Sequence, residues 1–254
     1  MTHGPRVVPV WPDEDARFFA EGLARSDYVA RVGGALAGML GPSASLLDVG
    51  AGDGTLGRRL LTPGARWTAI EPNGFMGRQL AVAMAGRSDG IGRVTAASWQ
   101  DALPAQPAHD VVLAANTSGP WEDAAGFLDL CRARATRAVA WVVPAQRGPR
   151  RWCLGGFLPA ALHGEDERPG VEIVAQALGA ARLPEATVLV DWSYRYRFAA
   201  REDAFAHFRR HLADPALEPA LRRHLDAMLM RIGDGWLAEA PKRSALLVWR
   251  GLAE

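Results

Sequence analysis

The stretch "LLDVGAGDGTLGRRL", residues 46–60, runs from an apolar segment through three closely spaced glycines into a basic, amphipathic one. Leu46, Leu47 and Val49 read as the end of a buried strand, and Leu56, Leu60 and Leu61 recur at helical spacing. Between them, Gly50, Gly52 and Gly54 allow positive φ and let a ligand approach without meeting a Cβ. Strand, glycine turn and helix make the nucleotide-binding corner of an α/β sheet.

The flanking sequence repeats that rhythm. "ARWTAIEP" (65–72) reads as a second strand ending at an acid, and "NGFMGRQLAVAMAG" (73–86) as its helix with Asn73 as cap. "GRVTAAS" (92–98), "HDVVLAAN" (109–116) and "TRAVAWVVP" (136–144) are three further strands, with a helix over "WEDAAGFLDLCRARA" (121–135). Strands separated by helix-length segments imply βαβ units and a parallel sheet covered on both faces. Apolar residues at mixed i+3 and i+4 spacing over 13–40 place one or two helices before the first strand.

Past Pro144 the alternation lapses into a turn-rich, basic and then aromatic stretch. A helix over 171–180 follows, then a long strand, "TVLVDWSYRYRF" (187–198), whose alternation puts aromatic and basic residues on opposite faces. Two helical segments, 201–212 and 215–236, precede a last strand, "SALLVWRG" (244–251). The expected fold is therefore α/β: a doubly wound, mostly parallel, seven-stranded sheet with a helical insertion between the last two strands. The expected organisation is one domain over 1–254, with N-terminal helices (1–41), a ligand-binding half (42–145) and an acceptor-side half carrying the helical cap (146–254).

Composition narrows the class. The 254 residues are 49% hydrophobic and 22% charged with a formal net charge of +1, values typical of a globular protein rather than a nucleic-acid or membrane-surface binder. No apolar run approaches the ~18 residues of a membrane span, and the N-terminus lacks the pattern of a secretory signal. Cys131 and Cys153 form no CxxC, so reduced thiols and a cytoplasmic location are expected. His207 and His211 stand at i and i+4, but no third ligand is spaced to complete a metal site.

Two ligand classes use a glycine corner of this kind: dinucleotides and S-adenosylmethionine. The third glycine of the dinucleotide fingerprint falls on Thr55, and Asp48, inside the strand, would repel a pyrophosphate. An acid there suits a ligand with an ammonium group. On "LLDVGAGDGTLG", "WTAIEP" and "HDVVLAAN", in that order and spacing, the chain resembles class I S-adenosylmethionine-dependent methyltransferases of a broad bacterial small-molecule type, mainly over residues 40–145.

The resemblance implies a Rossmann-like methyltransferase fold, S-adenosylmethionine as cofactor and S-adenosylhomocysteine as product. It implies that Glu71 accepts from both ribose hydroxyls, with Pro72 beside it. Gly50, Ala51 and Gly52 would approach the methionine part, and Asp48 would orient the turn or the amino group. Adenine contacts map to Ser98, Trp99 and Gln100; either Gln100 or Asp101 would take the exocyclic amine. Asn116, after the fourth strand, stands where relatives touch cofactor or acceptor.

Methyl transfer from a sulfonium needs alignment more than a catalytic dyad, so no general base is required by the sequence. Weak catalytic candidates are Asn116, His163 and Tyr194, with Ser118, Trp121, Trp152 and Tyr196 as further acceptor-side residues. Arg147, Arg150 and Arg151 beside Trp152 would suit an anionic small-molecule acceptor. No patch interleaves aromatic and basic residues as in RNA-binding modules, so neither nucleic acid nor membrane is an expected partner. The competing reading is a non-catalytic, methyltransferase-like protein that binds the cofactor or serves assembly.

Overall fold

The computed structural model describes residues 11–87, 91–117, 121, 123–149 and 154–250. The chain enters through helix α1 (Asp13–Ala24), a π-helical turn (Val29–Gly33) and α2 (Gly34–Leu40). Strand β1 (Ser45–Val49) leads through the glycine turn to α3 (Thr55–Leu60), β2 (Arg66–Ile70), α4 (Gly74–Ala85) and β3 (Gly92–Thr95). Short α5 (Trp99–Ala102), β4 (His109–Ala115), α6 (Ala124–Arg132) and β5 (Ala135–Pro144) complete the regular part. Then come α7 (Ala160–His163), α8 (Gly170–Leu178), β6 (Ala186–Phe198), α9 (Arg201–Arg209), α10 (Glu218–Met228), β7 (Met230–Ile232) and β8 (Gly235–Trp249).

The strands form one sheet in the order β3-β2-β1-β4-β5-β8-β6, with β7 paired on β8. From β3 to β5 every pairing is parallel, whereas β8 runs antiparallel to β5, β6 and β7. This is the doubly wound, Rossmann-like arrangement that the sequence resemblance implies. The chain leaves β1 toward β2 on one side, and β4 begins the march toward β5 on the other, so the winding reverses between β1 and β4. A crevice opens outside the carboxyl ends of strands at such a switch point.

Burial on both faces explains why the central strands read as continuous apolar runs. Leu46, Val111, Leu113, Ala138, Ala140 and Val142 face a core shared with α1 to α4, α9 and α10. Their neighbours Leu47, Val49, Val112, Ala114, Val139 and Trp141 face a second core with α6 and α8. Asp48 shares its face with Leu46 by the period-2 rule, and it is the acid buried in that first layer of β1.

Asn73 caps α4 as expected, its Oδ1 accepting from the Met76 N–H at 2.9 Å. Several boundaries differ from the sequence expectation. The helix expected to run to residue 236 ends at Met228, and the last strand begins at Gly235 rather than Ser244. Ile232 pairs with Gly235 across a two-residue Gly233-Asp234 turn with Gly233 at φ +59°, which folds the segment into a hairpin. The "GDG" signal at 233–235 marks that turn, and β7 adds an eighth short strand to the expected seven. The third strand also closes early, because Ser98 leaves the sheet to cap α5 through the Asp101 N–H at 3.3 Å.

No helix of the described residues is long and apolar enough to cross a membrane. Cys131 is buried in the second core, where burial pushes its thiol pKa up. Cys153 lies outside the described residues.

Candidate functional site

Two adjoining cavities, of about 120 and about 50 Å3, open at the carboxyl ends of β1, β2 and β4. Gly50, Gly52, Ala115 and Asn116 line both, so the glycine turn forms the wall they share. Gly50 and Gly52 stand at φ +67° and +61°, where a side chain would be strained. A Cβ on Gly52 would meet no protein atom within 4 Å, so the space over it belongs to the cleft. Gly50 lies instead under Thr117, whose hydroxyl donates to the Val49 carbonyl at 2.8 Å.

Glu71 is the post of this turn. Its Oε2 accepts from the Gly52 N–H at 2.7 Å and its Oε1 from the Asn73 N–H at 2.8 Å. Each oxygen keeps a further acceptor position, and Glu71 lines the larger cavity. Glu71 is 6% exposed, and burial raises its pKa against the pull of those two N–H groups. Besides standing where the resemblance puts the ribose acceptor, Glu71 therefore also holds the backbone of the turn.

Asp48, 2% exposed, lines the smaller cavity, and its Oδ2 accepts no hydrogen bond. Burial, with Glu71 and Asp53 adding repulsion, pushes its pKa up to about 7, while the Trp67 indole opposes the rise. The indole N–H itself closes no hydrogen bond of ordinary geometry. Gly57 makes room for this carboxyl; a Cβ there would sit 2.0 Å from Oδ2.

Other buried polar atoms without a partner gather at the same cleft: Gln100 Oε1, Asn116 Oδ1 and Trp99 Nε1. Such atoms are uncommon in folded proteins, and of these three Gln100 Oε1 and Asn116 Oδ1 are acceptors and Trp99 Nε1 a donor. Asp101, by contrast, is engaged by the Ser98 hydroxyl at 2.7 Å and does not line the cavity. Among the described lining residues, Asp48, Asp53 and Glu71 are acids and no side chain is basic. That charge pattern fits a cationic ligand and opposes a pyrophosphate.

Asn116 has φ +54°, the one non-glycine residue at positive φ among the described residues. Asparagine tolerates this conformation better than most residues, and such outliers cluster at ligand sites. Its Nδ2 donates to the Tyr28 hydroxyl at 2.9 Å, and its Oδ1 is buried without a partner. Burial and the nearby Asp48 and Asp53 raise the Tyr28 pKa.

The roof comes from the N-terminal helices. Trp11, Ala16 and Phe19 cover the larger cavity, and Phe19, Leu23, Tyr28 and Val29 the smaller. Asn73 Nδ2 ties this roof down by donating to the Trp11 carbonyl at 2.8 Å. Trp11, Phe19, Tyr28 and Met76 were not readable as site residues, because only tertiary packing brings residues 11–29 over the glycine turn. No described residue of 146–254 lines either cavity. Phe205 and Phe208 of α9 are instead buried in the core that contains Phe18 of α1.

Pro72, Ser98, Trp99, Gln100 and Asn116 line the larger cavity, and Asp48 and Ala51 the smaller. Two catalytic candidates do not join them. Tyr194 is fully buried, and its hydroxyl donates to the Phe18 carbonyl at 2.6 Å. His163 lies in α7 with Nδ1 accepting from the Glu165 N–H at 3.0 Å and Nε2 3.2 Å from Glu167. Alternation placed Tyr194 on an inward face, but only packing turned that face toward α1 rather than the cleft. Tyr196 also meets α1, at Glu21, and Trp121 packs near Pro144 and Gly170. Arg147 is exposed; Ser118, Arg150, Arg151 and Trp152 lie outside the described residues. His207 stacks on Phe18 with ring centroids 3.9 Å apart, and burial beside Arg210 pushes its pKa down to about 3.

No protein-family model matches the chain, and no curated protein matches it in sequence. Solved structures do match. The YcgJ protein from Bacillus subtilis is 13% identical with a TM-score of 0.50, covering 85% of this chain and 96% of that one. Magnesium protoporphyrin IX methyltransferase from Synechocystis, with bound SAM, is 11% identical with a TM-score of 0.46, covering 93% and 86%. The cyclopropane synthase MmaA2 from Mycobacterium tuberculosis is 14% identical with a TM-score of 0.46, covering 85% and 82%. At 13% identity the likeness to YcgJ is one of fold.

Proposed function

We propose that the chain is a class I S-adenosylmethionine-dependent methyltransferase with a small-molecule acceptor. The observation that carries this reading is the cleft over Gly50 and Gly52, whose charged lining residues are Asp48, Asp53 and Glu71. A ligand with a sulfonium and an ammonium group suits that field, and a dinucleotide does not.

Glu71 holds the ribose hydroxyls with the acceptor positions left free by Gly52 and Asn73. Gln100 Oε1 accepts from the exocyclic amine of adenine, in preference to the already engaged Asp101, and Trp99 lies against the base. Pro72 and Ser98 complete the adenosine wall. Gly50, Ala51 and Gly52 let the methionine part pass close to the backbone, with Asp48 toward its ammonium group. When bound, the cofactor supplies a methyl group already activated on sulfur, so the protein contributes alignment and exclusion of water. Trp11 and Phe19 provide that exclusion as an apolar roof. The half from residue 146 onward completes a single domain with 1–145.

Calorimetric titration with S-adenosylmethionine, S-adenosylhomocysteine and NAD tests this reading. The first two bind and NAD does not. Binding of NAD without either adenosyl compound overturns it.

A further inference from the structure

Strand β6 closes one side of the sheet, far from the glycine turn in strand order, and part of its outer edge is open. It pairs with β8 over all 13 of its residues, Ala186–Phe198, and with no other strand of the described residues. Backbone N–H and C=O groups along an antiparallel strand point alternately to its two sides. The Ser193 N–H donates to Asp27 Oδ1 at 2.8 Å, so the odd-numbered residues aim their backbone groups away from β8. Asp27, itself paired with Arg31, thus blocks the edge at Ser193. Earlier in the strand, Thr187, Leu189 and Asp191 also point outward, and no backbone partner for them lies among the described residues.

Sheet edges are ordinarily protected by a charge, a proline or a bulge. The segment "ATVLV" (186–190) has none of these, and it exposes Val188 at 38% and Leu189 at 57%. Trp192 and Tyr194, further along, are buried, so the exposed apolar surface coincides with the open backbone groups. A second copy of the same strand fits this edge in one register. Centred on Leu189, antiparallel self-pairing sets each Thr187 opposite the partner's Asp191 and Leu189 opposite its own counterpart, which engages all three open residues. Val188 then faces the partner's Val190. No like charges are opposed, since Asp191 meets a threonine while Arg243 holds its carboxylate at 2.6 Å. Centring on Asp191 would oppose two carboxylates and would need Ser193, which Asp27 already engages. Centring on Thr187 would run into residue 185, which precedes the strand.

We infer that the open edge of β6 is a homodimer interface, two copies pairing antiparallel about Leu189 into one continuous sheet. A two-fold contact of this kind uses the same edge in both copies, so association stops at two chains. The interface is separate from the cleft and independent of the methyltransferase reading.

Sedimentation of the full chain from about 1 to about 300 µM tests it. A strand pair this short buries less than a standard interface, so the mass rises from one chain of 27.3 kDa toward twice that, with a dissociation constant of about 1–100 µM. Leu189→Lys opposes two ammonium groups at the two-fold and weakens the dimer about a hundredfold, with a cooperative melting curve retained because Leu189 is exposed. The register has its own readout. Facing Cα atoms of a hydrogen-bonded pair lie about 5.5 Å apart, within disulfide reach, whereas the two copies of Thr187 would stand roughly 14 Å apart. In a Cys153→Ser background, mild oxidation therefore links Leu189→Cys into dimers and leaves Thr187→Cys as single chains. A single-chain mass at every concentration overturns the inference. So does a dimer that a folded Leu189→Lys leaves intact, or one that links at 187 as readily as at 189. If Leu189→Lys does not fold, the two cysteine variants decide.

Discussion

Replacing Asp48 by Asn removes a buried carboxyl whose pKa rises from 3.8 to about 7 on folding. Because the folded value lies above the unfolded one, the native state holds more protons across that window. Stability is therefore full at acid pH, falls as pH rises toward 7, and levels off above it. A rise from 3.8 to about 7 is worth about 4 kcal/mol over the whole window, and about 2 kcal/mol of it falls between about pH 5.5 and 8.5. Urea unfolding of the ligand-free protein at these two pH values measures it, with the m-value checked for constancy. Wild type should lose about 2 kcal/mol more than Asp48→Asn over the interval, since the other titrations cancel between the two proteins. The absolute stability of the variant is less informative, because the new amide must find partners of its own. The same carboxyl must ionise to meet a cation, so wild-type S-adenosylmethionine affinity should rise about tenfold between about pH 5.5 and 7. That range stays below the titration of the ligand's α-amino group. Affinity of Asp48→Asn should be nearly flat there. Parallel unfolding curves and equal pH slopes in both proteins would refute this account of Asp48.

Glu71→Ala should weaken S-adenosylmethionine by about 2–3 kcal/mol and also lower stability by about 1–3 kcal/mol, since Gly52 and Asn73 lose their acceptor. An unchanged dissociation constant with an intact melting curve would put the ribose elsewhere. Gly52→Val places a branched side chain at φ +61° in open cleft space, so ligand binding should fall far more than the ~1–3 kcal/mol of backbone strain. Retained binding would mean that the glycine serves only the turn. Asn73→Ala removes both the α4 cap and the tie to Trp11, so stability should drop by about 1–2 kcal/mol and amide exchange over 11–24 should quicken. Unaltered exchange there would deny the roof its anchor. Tyr194→Phe should lose about 1–3 kcal/mol of stability with S-adenosylmethionine affinity unmoved. Lost affinity at unchanged stability would return Tyr194 to the site.

The sequence by itself determined the winding of the sheet and the location of its crevice. Both are written in local terms. Runs such as "VVLAA" (111–115) are apolar throughout because both faces of a central strand are covered, and three glycines follow β1 because the backbone there needs positive φ. Asp48, Glu71 and Asn116 were legible as cleft residues for the same reason, since each sits at a strand end or just past one, and Ser98 and Gln100 follow β3 at the start of α5. Tertiary structure alone decided which of these groups are engaged and what stands above them. Glu71 became a support of the turn through Gly52, and Asp101 was taken up by Ser98. The roof depends on α1 lying across α4, fixed by Asn73 reaching Trp11, sixty-two residues away in the chain. Tyr194 shows the limit most clearly: period-2 alternation assigns it a face, but not what packs against that face. That was settled by Gly22, where the absence of a Cβ lets the phenol ring sit against α1 and reach the Phe18 carbonyl. Periodicity encodes which side of an element is buried, whereas the partner on that side is chosen by shape and hydrogen bonding between segments far apart in sequence.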